Sequence, residues 1–319
     1  MTQAKVNKTP IRKKKYSDGK LMSRRDRISV YLMILPVVVP FVLFCVYPVF
    51  YLLRLSFYSY DGMTEMEWVG FANYIRLFQD KTWWTPVFNT VQLGVLIPLF
   101  QIPLSLILAC ILNMGIKGSS IFRTFIFLPN ITSTAIMGVV FWFIFSSYNG
   151  VVNGILMNLN LISKPIEWLS GELTAKTVIV IFSTWAGTGF YMVLFLAGLQ
   201  KISKDVYESA ALDGANSVQT FFKITVPLLG PMFQIVTLLS ILNAMKLFDT
   251  VKVLTNGGPG NKTEVMTMFI YRYFFEPAGG SMQQGYASSA SIFSLFVMGL
   301  IAIIYAMLSF GGNRHGRKG

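Results

Sequence analysis

Two carboxylates, Glu208 and Asp213, sit among alanines and a glycine in "YESAALDGANSVQTFFKITVPLLGP" (Tyr207 to Pro231), within a chain that is otherwise strongly apolar. Nothing nearby equips them for catalysis. The single histidine is His315, close to the end, no cluster of metal-ligand residues appears and no G-x-S-x-G elbow is present. What they suit is recognition: Ser209, Ala210, Ala211, Gly214 and Ala215 make a narrow tip whose backbone could enter a partner's groove. A second set of polar groups falls inside apolar runs, where such groups are costly and mark pathways. Ser240, Asn243, Lys246 and Asp249 recur every three residues, drifting slowly around one helical face. Ser183, Trp185, Phe190 and Tyr191 surround a Gly-x-Gly at Gly187 and Gly189, where small residues also let helices pack closely. Lys246 and Asp249 are expected to neutralise one another, which leaves Ser240 and Asn243 better placed to meet a polar solute.

The elements that must position these groups are membrane helices. Hydrophobic residues make up 54% of the 319, charged residues 13%, and the mean hydropathy is +0.56, too apolar for a soluble chain of this length. Six stretches reach the roughly 20 residues a bilayer span needs: about 29–53, 87–113, 121–146, 175–199, 231–254 and 287–310. The runs are continuous, without the ten-residue alternation of a β-barrel. The expected fold is therefore all-α integral membrane with six transmembrane helices. It comprises a basic tail over 1–28, a membrane domain over 29–310, a cytoplasmic loop over 201–230 between the fourth and fifth helices, and a short tail over 311–319. With both termini inside, the entire net charge of +13 falls on the inner segments, as the positive-inside rule requires. The basic tail thus reads as a topology determinant rather than a nucleic-acid site. The first apolar run is too long for a cleaved signal peptide and is expected to be retained.

Helix one carries Pro36, Pro40 and Pro48, helix two Pro98 and Pro103, and helix three is expected to open near Pro129. Such residues predict kinked, closely packed helices. Trp68, Tyr74, Trp83 and Trp84 suit an interfacial aromatic belt, and a short surface helix is expected among them. Cys45 and Cys110 are expected to act as small buried hydrophobes. "TNGGPGNKTE" resembles a phosphate loop only superficially, because Asn261 stands where the P-loop needs its glycine before Lys262. Within the cytoplasmic loop, Ser203 should cap a helix with Asp205 in its first turn and Val206, Ala210 and Leu212 sharing a face. Gly214 should stop that helix, and Ser217 should cap a second one ended by Pro227.

The loop resembles the EAA motif, E-A-A-x-x-x-G followed by I-x-x-P, of the inner-membrane permease subunits of bacterial ABC importers. Glu208, Ala210, Gly214, Ile224 and Pro227 match, and Ser209 replaces the usual first alanine. "VGFANY", "NTV", "FRTFIFLPNITS", "WAGTGFYMVLFLAGLQ" and "FDTVKVLTNGGPGNKTEVMTMFIYRYFF" resemble the carbohydrate-uptake permeases of the maltose and glycerol-3-phosphate type. The glycines and proline after "LTN" look like the half similar to the larger maltose permease subunit. The resemblance implies a chain of the bacterial cytoplasmic membrane that catalyses nothing itself. Glu208, Ser209, Ala210, Asp213, Gly214 and Ala215 would dock on a separate ATPase. It also implies a second, different permease, two ATPase copies carrying ATP and Mg, and an extracytoplasmic substrate-binding protein. Substrate contacts would lie on the fourth and fifth helices, where aromatic faces beside hydroxyl and amide groups suit an oligosaccharide. A phosphorylated polyol or a charged sugar is an alternative cargo. A secondary transporter driven by ions would need unpaired intramembrane carboxylates or an inverted repeat; Asp249 alone is thin support, and no repeat is visible.

Overall fold

A segment in hydrocarbon must satisfy its own backbone hydrogen bonds, and this chain does so as helices. The computed structural model describes residues 24–276 and 282–311; most of the basic tail, and His315 with the end of the chain, lie outside the described residues. The chain divides into two compact units after Tyr51. The first holds α1 (Arg24–Phe41), a π-turn (Val42–Val46) and the start of α2 (Tyr47–Leu55). The second continues with a two-residue hairpin of β1 (Tyr58–Ser59) and β2 (Glu67–Trp68), then α3 (Ala72–Gln79), α4 (Lys81–Asn113), α5 (Ser119–Ile131), α6 (Thr134–Ile144), α7 (Val151–Asn158) and α8 (Glu172–Leu199). After these come α9 (Lys204–Leu212), α10 (Ser217–Thr220), a second π-turn (Phe221–Thr225), α11 (Val226–Leu228), α12 (Gly230–Met245), α13 (Asp249–Leu254), α14 (Met266–Phe275) and α15 (Gln284–Gly311).

Among the described residues, four helices are long and apolar enough to cross a bilayer: Ile28–Leu55, Lys81–Asn113, Glu172–Leu199 and Gln284–Ser309. Two bent pairs, Ser119–Ile131 with Thr134–Ile144 (96°) and Ser217–Leu228 with Gly230–Met245 (70°), bring the number to six if each is one span. Two of the six expected spans are therefore not continuous. The stretch 121–146 breaks at Thr132 and Ser133, and 231–254 breaks between Met245 and Asp249. Pro129 lies inside α5 rather than at its start, and the helix ends two residues beyond it. The proline removes the bond to the carbonyl four residues back; at the helix end, the Thr132 hydroxyl donates to Leu128 O at 2.9 Å.

Both π-turns have the same cause. Tyr47 N–H bonds Val42 O just before Pro48, and Val226 N–H bonds Phe221 O just before Pro227. The extra residue widens the turn ahead of a ring that would clash with the carbonyl four residues back. Pro227 accordingly does not end its helix, which continues to Leu228 before the bend.

The core of the second unit is built where α4, α8 and α12 meet, and α5 crosses α8 at Gly189. A Cβ there would stand 2.3 Å from Ile126 O and 2.7 Å from Phe127 Cα, so glycine allows that approach. A buried hydroxyl ties the helices together: Ser105 Oγ lies 2.7 Å from Gln101 O on its own helix and 3.1 Å from Thr188 O on α8, its one proton shared between them. At 33 residues, α4 is about 50 Å long and exceeds a hydrocarbon core of about 30 Å. Its first turns pack against α14 and α15. Trp83, expected in an interfacial belt, is instead fully buried there against Phe269 and Phe293, whereas Trp68 and Trp84 are exposed. The short surface helix is α3, whose Tyr74 hydroxyl meets that of Ser56 at 2.7 Å. Cys45 is exposed and Cys110 half-buried, so neither is a fully buried hydrophobe.

Candidate functional site

Six of the residues singled out in the spans converge. Ser183, Gly187, Phe190 and Tyr191 of α8, with Ser240 and Asn243 of α12, line one cavity of about 250 Å³. Further wall comes from Phe182 and Ala186 of α8 and Ala244 of α12, from α4 (Ile97 and Gln101), from either side of the α5/α6 break (Pro129, Asn130, Thr134) and from about the α12/α13 break (Leu247, Thr250). Asn243 Nδ2 donates to the Tyr191 hydroxyl at 3.0 Å. Ser240 is buried and donates from Oγ to Gln101 Oε1 at 2.7 Å, while Gln101 Nε2 donates to Ser183 O at 3.1 Å. The Ser183 hydroxyl oxygen is enclosed and has no protein partner among the described residues.

Three expected residues are absent from this wall. Trp185 projects from another side of α8 and packs against Phe141 and Phe182. It lines a larger groove of about 760 Å³ whose wall is mostly apolar, including Leu104, Phe125 and Val180; the smaller cavity is where polar groups converge. Lys246 and Asp249 do not pair. Lys246 sits in the turn closing α12, Asp249 opens α13, and both are exposed, with no mutual ion pair among the described residues. The even spacing by three presumes an unbroken helix, and the break at 246–248 separates them. Conversely, Gln101 joins the site without having been expected there. A lone amide deep in a long apolar run is the signal that could have found it.

The loop after α8 forms largely as its sequence dictates. Ser203 caps α9 by accepting from Asp205 N–H, with Asp205 in the first turn. Gly214 takes φ +78°, a left-handed value natural to glycine, and closes a Schellman end: Ala215 N–H reaches Ala210 O and Gly214 N–H reaches Ala211 O. The second cap is Asn216, not Ser217. Its side chain accepts from Gln219 N–H while Gln219 Oε1 accepts from Asn216 N–H, a reciprocal pairing that a serine one residue later could not make. Glu208, Ser209, Asp213 and Gly214 are exposed and Ala215 is half-buried, whereas Ala210 turns inward and is buried. Leu212 does not share that inner face; it is 89% exposed, and Val218 and Phe222, later in the loop, are exposed as well.

On the far side of α4, the loop 255–265 is a built feature. Asn89 Nδ2 donates to Lys262 O and Glu264 O, both at 2.8 Å, and Thr90 Oγ1 accepts from Met266 N–H. Lys262 faces Glu172 at 3.4 Å, so it is engaged with a carboxylate rather than cradling phosphate. Glu264 is buried and accepts from Arg272 at 2.9 Å. Burial pushes its carboxyl up to about 7, with Arg272 pulling downward and Glu276 adding to the rise.

Bent and broken apolar helices lining a polar cavity, with an exposed helical loop after α8, are those of a multi-pass membrane protein. The chain belongs to the binding-protein-dependent transport system inner membrane component family, whose model matches residues 101–311. It is similar to the lactose transport system permease protein LacF of Rhizobium radiobacter, 35% identical over 257 residues, covering 80% of this chain and 86% of that one. It is also similar to the trehalose/maltose transport system permease protein MalF of Thermococcus litoralis, 31% identical over 90% of this chain and 95% of that one. Among solved structures it matches a bacterial alginate ABC transporter in complex with alginate pentasaccharide-bound periplasmic protein. That likeness has a TM-score of 0.77 at 25% identity and covers 90% of this chain and 95% of that one.

Proposed function

We propose that this permease forms half of an oligosaccharide path through the cytoplasmic membrane, the observation carrying this being the α4/α8/α12 cavity. Its wall combines aromatic faces (Phe182, Phe190, Tyr191) with hydroxyl and amide groups (Ser183, Ser240, Gln101, Asn243) and, among the described residues, no charged side chain. A sugar ring offers apolar C–H faces and polar O–H edges, which such a wall matches. An uncharged oligosaccharide fits better than a phosphorylated or charged one. At about 250 Å³ the cavity is smaller than the roughly 300–1,000 Å³ of complete ligand sites, as suits a site finished by a second permease. The named cargoes of the relatives, lactose and trehalose or maltose, support the substrate class.

In this reading both termini are cytoplasmic and the α9–α10 loop docks on an ATPase. Two ATPase copies hold ATP and Mg, and this chain binds neither. A substrate-binding protein delivers sugar from the other side; the periplasmic protein bound in the similar crystal structure supports that partner. The test is uptake of labelled di- and trisaccharides by cells carrying Asn243→Ala or Phe190→Ala. Each change is expected to lower uptake at least about tenfold, the equivalent of one lost polar or aromatic contact, with the ATPase still co-purifying. Unaltered uptake in both variants would remove the cavity from the path.

A further inference from the structure

Gln101 stands at the junction of three helices, 4% exposed, and its two amide ends are assigned by their partners. Ser183 O can only accept, so the group 3.1 Å from it is the amide nitrogen. The carbonyl end therefore faces Ser240 Oγ at 2.7 Å, and the serine is the donor in that bond. The hydroxyl has one proton, and Gln101 holds it. Ser240 consequently has only lone pairs left to offer, to the neighbouring Tyr191 hydroxyl and to the cavity. Gly187 makes the arrangement possible, since a Cβ there would stand 2.3 Å from Gln101 Nε2.

We propose that Gln101 is a specificity-determining positioning residue: by fixing the Ser240 proton it makes the cavity wall an acceptor at that point, so that cargo is selected for a hydroxyl that can donate there. This rests on the reading of the cavity as the sugar path. A wall built to pair one polar group rejects an analogue lacking it far more strongly than an apolar pocket rejects a change of size. Gln101 itself acts through Ser240, which makes the contact.

The experiment uses the complete transporter in cells and a panel of labelled lactose, maltose and raffinose. The sugar imported fastest is then compared with its monodeoxyfluoro derivatives. Fluorine replaces a hydroxyl with little change of size and cannot donate. At one ring position the wild type is expected to prefer hydroxyl over fluorine by about tenfold, one hydrogen bond's equivalent. Gln101→Met removes the acceptor and frees the Ser240 proton, so that the serine can donate as well as accept and the preference at that position should fall. Gln101→Glu should restore it, because a neutral carboxyl carries the same donor and acceptor pair. Gly187→Ala, which displaces the amide with Gln101 intact, should reproduce the methionine result, and it serves if the methionine variant fails to reach the membrane. A preference unchanged at every position in both Gln101→Met and Gly187→Ala, or a glutamate variant that behaves like methionine, overturns the proposal. Should Ser240→Ala and Asn243→Ala leave uptake of every sugar unaltered, the cavity reading itself falls. Impaired uptake in those two variants with an unchanged preference in Gln101→Met sinks only the role of Gln101.

Discussion

Gly214→Asp separates folding from coupling because the structure sets the folding cost low. The position has φ +78°, and a Cβ placed there would meet nothing within 4 Å, so only backbone strain opposes a side chain. That strain is about 1–2 kcal/mol for an ordinary residue and less for Asn or Asp, which tolerate left-handed backbone. Against a typical stability of about 5–15 kcal/mol the variant stays folded. At a docked surface the added carboxylate is a different matter. An unpaired charge buried on association costs about 2–5 kcal/mol, a loss of affinity of about thirtyfold to a few thousandfold. Gly214→Asn carries the same shape and strain without the charge. The assay is membrane abundance by quantitative blot, recovery of an ATPase in mild detergent by mass spectrometry, and sugar uptake, for wild type and both variants. Expected are equal abundance in all three, and ATPase recovery and uptake lost in the aspartate variant but largely kept in the asparagine one. Normal uptake with the aspartate would refute the docking assignment; equal loss in both variants would refute the role of charge.

Asn89→Ala removes one buried and one part-buried hydrogen bond to carbonyls of the 255–265 loop; a loss of about 1–3 kcal/mol should appear as a lower Tm in detergent, and an unchanged Tm would show the loop stands without that clamp. For Glu264, the folded value of about 7 lies above the ordinary 4.5. Between these pH values the folded state therefore binds more proton than the unfolded one, and stability should fall as pH rises from about 4.5 through about 7. Thermal unfolding at pH 5.5 and 8 should show this trend, and Glu264→Gln should flatten it; a wild-type profile as flat as the variant's contradicts the burial argument. Gly189→Ala places a methyl 2.3 Å from Ile126 O, a backbone clash that should force α5 off α8 and cost about 1–3 kcal/mol, read as reduced Tm and reduced accumulation.

Local rules are the most legible part of this chain. Ser203, Asp205 and Gly214 behave as their side chains and φ preferences dictate, because capping depends on a few neighbouring atoms. Asn216 rather than Ser217 takes the second cap, since only the reciprocal bond from Gln219 distinguishes two adjacent candidates. Apolar runs reveal helices but not their breaks: hydropathy is blind to a 96° turn at Thr132–Ser133 or to the interruption after Met245. The same blindness puts Lys246 and Asp249 on one face and Trp83 at the lipid interface, when tertiary packing against Phe269 and Phe293 decides where that ring lies.

Those breaks are what make the site. Straight helices with small and aromatic residues at their contacts would close on each other, and a polar cavity among them would be squeezed out. Here Pro129, Asn130 and Thr134 come from the α5/α6 bend, and Leu247 and Thr250 from the α12/α13 interruption. Non-helical backbone at membrane depth is tolerated where it is buried in protein or lines a cavity, and both breaks carry their own satisfaction: Thr132 Oγ1 donates to Leu128 O, and Thr267 Oγ1 to Leu247 O. Gln101, Ser183 and Ser240 then face a space held open by irregular walls. Replacing Thr267 with valine keeps the shape but leaves Leu247 O without that donor. If the breaks shape the site, Thr267→Val should lower sugar uptake more than it lowers Tm, whereas a proportionate loss of both would reduce the α12/α13 interruption to ordinary structure.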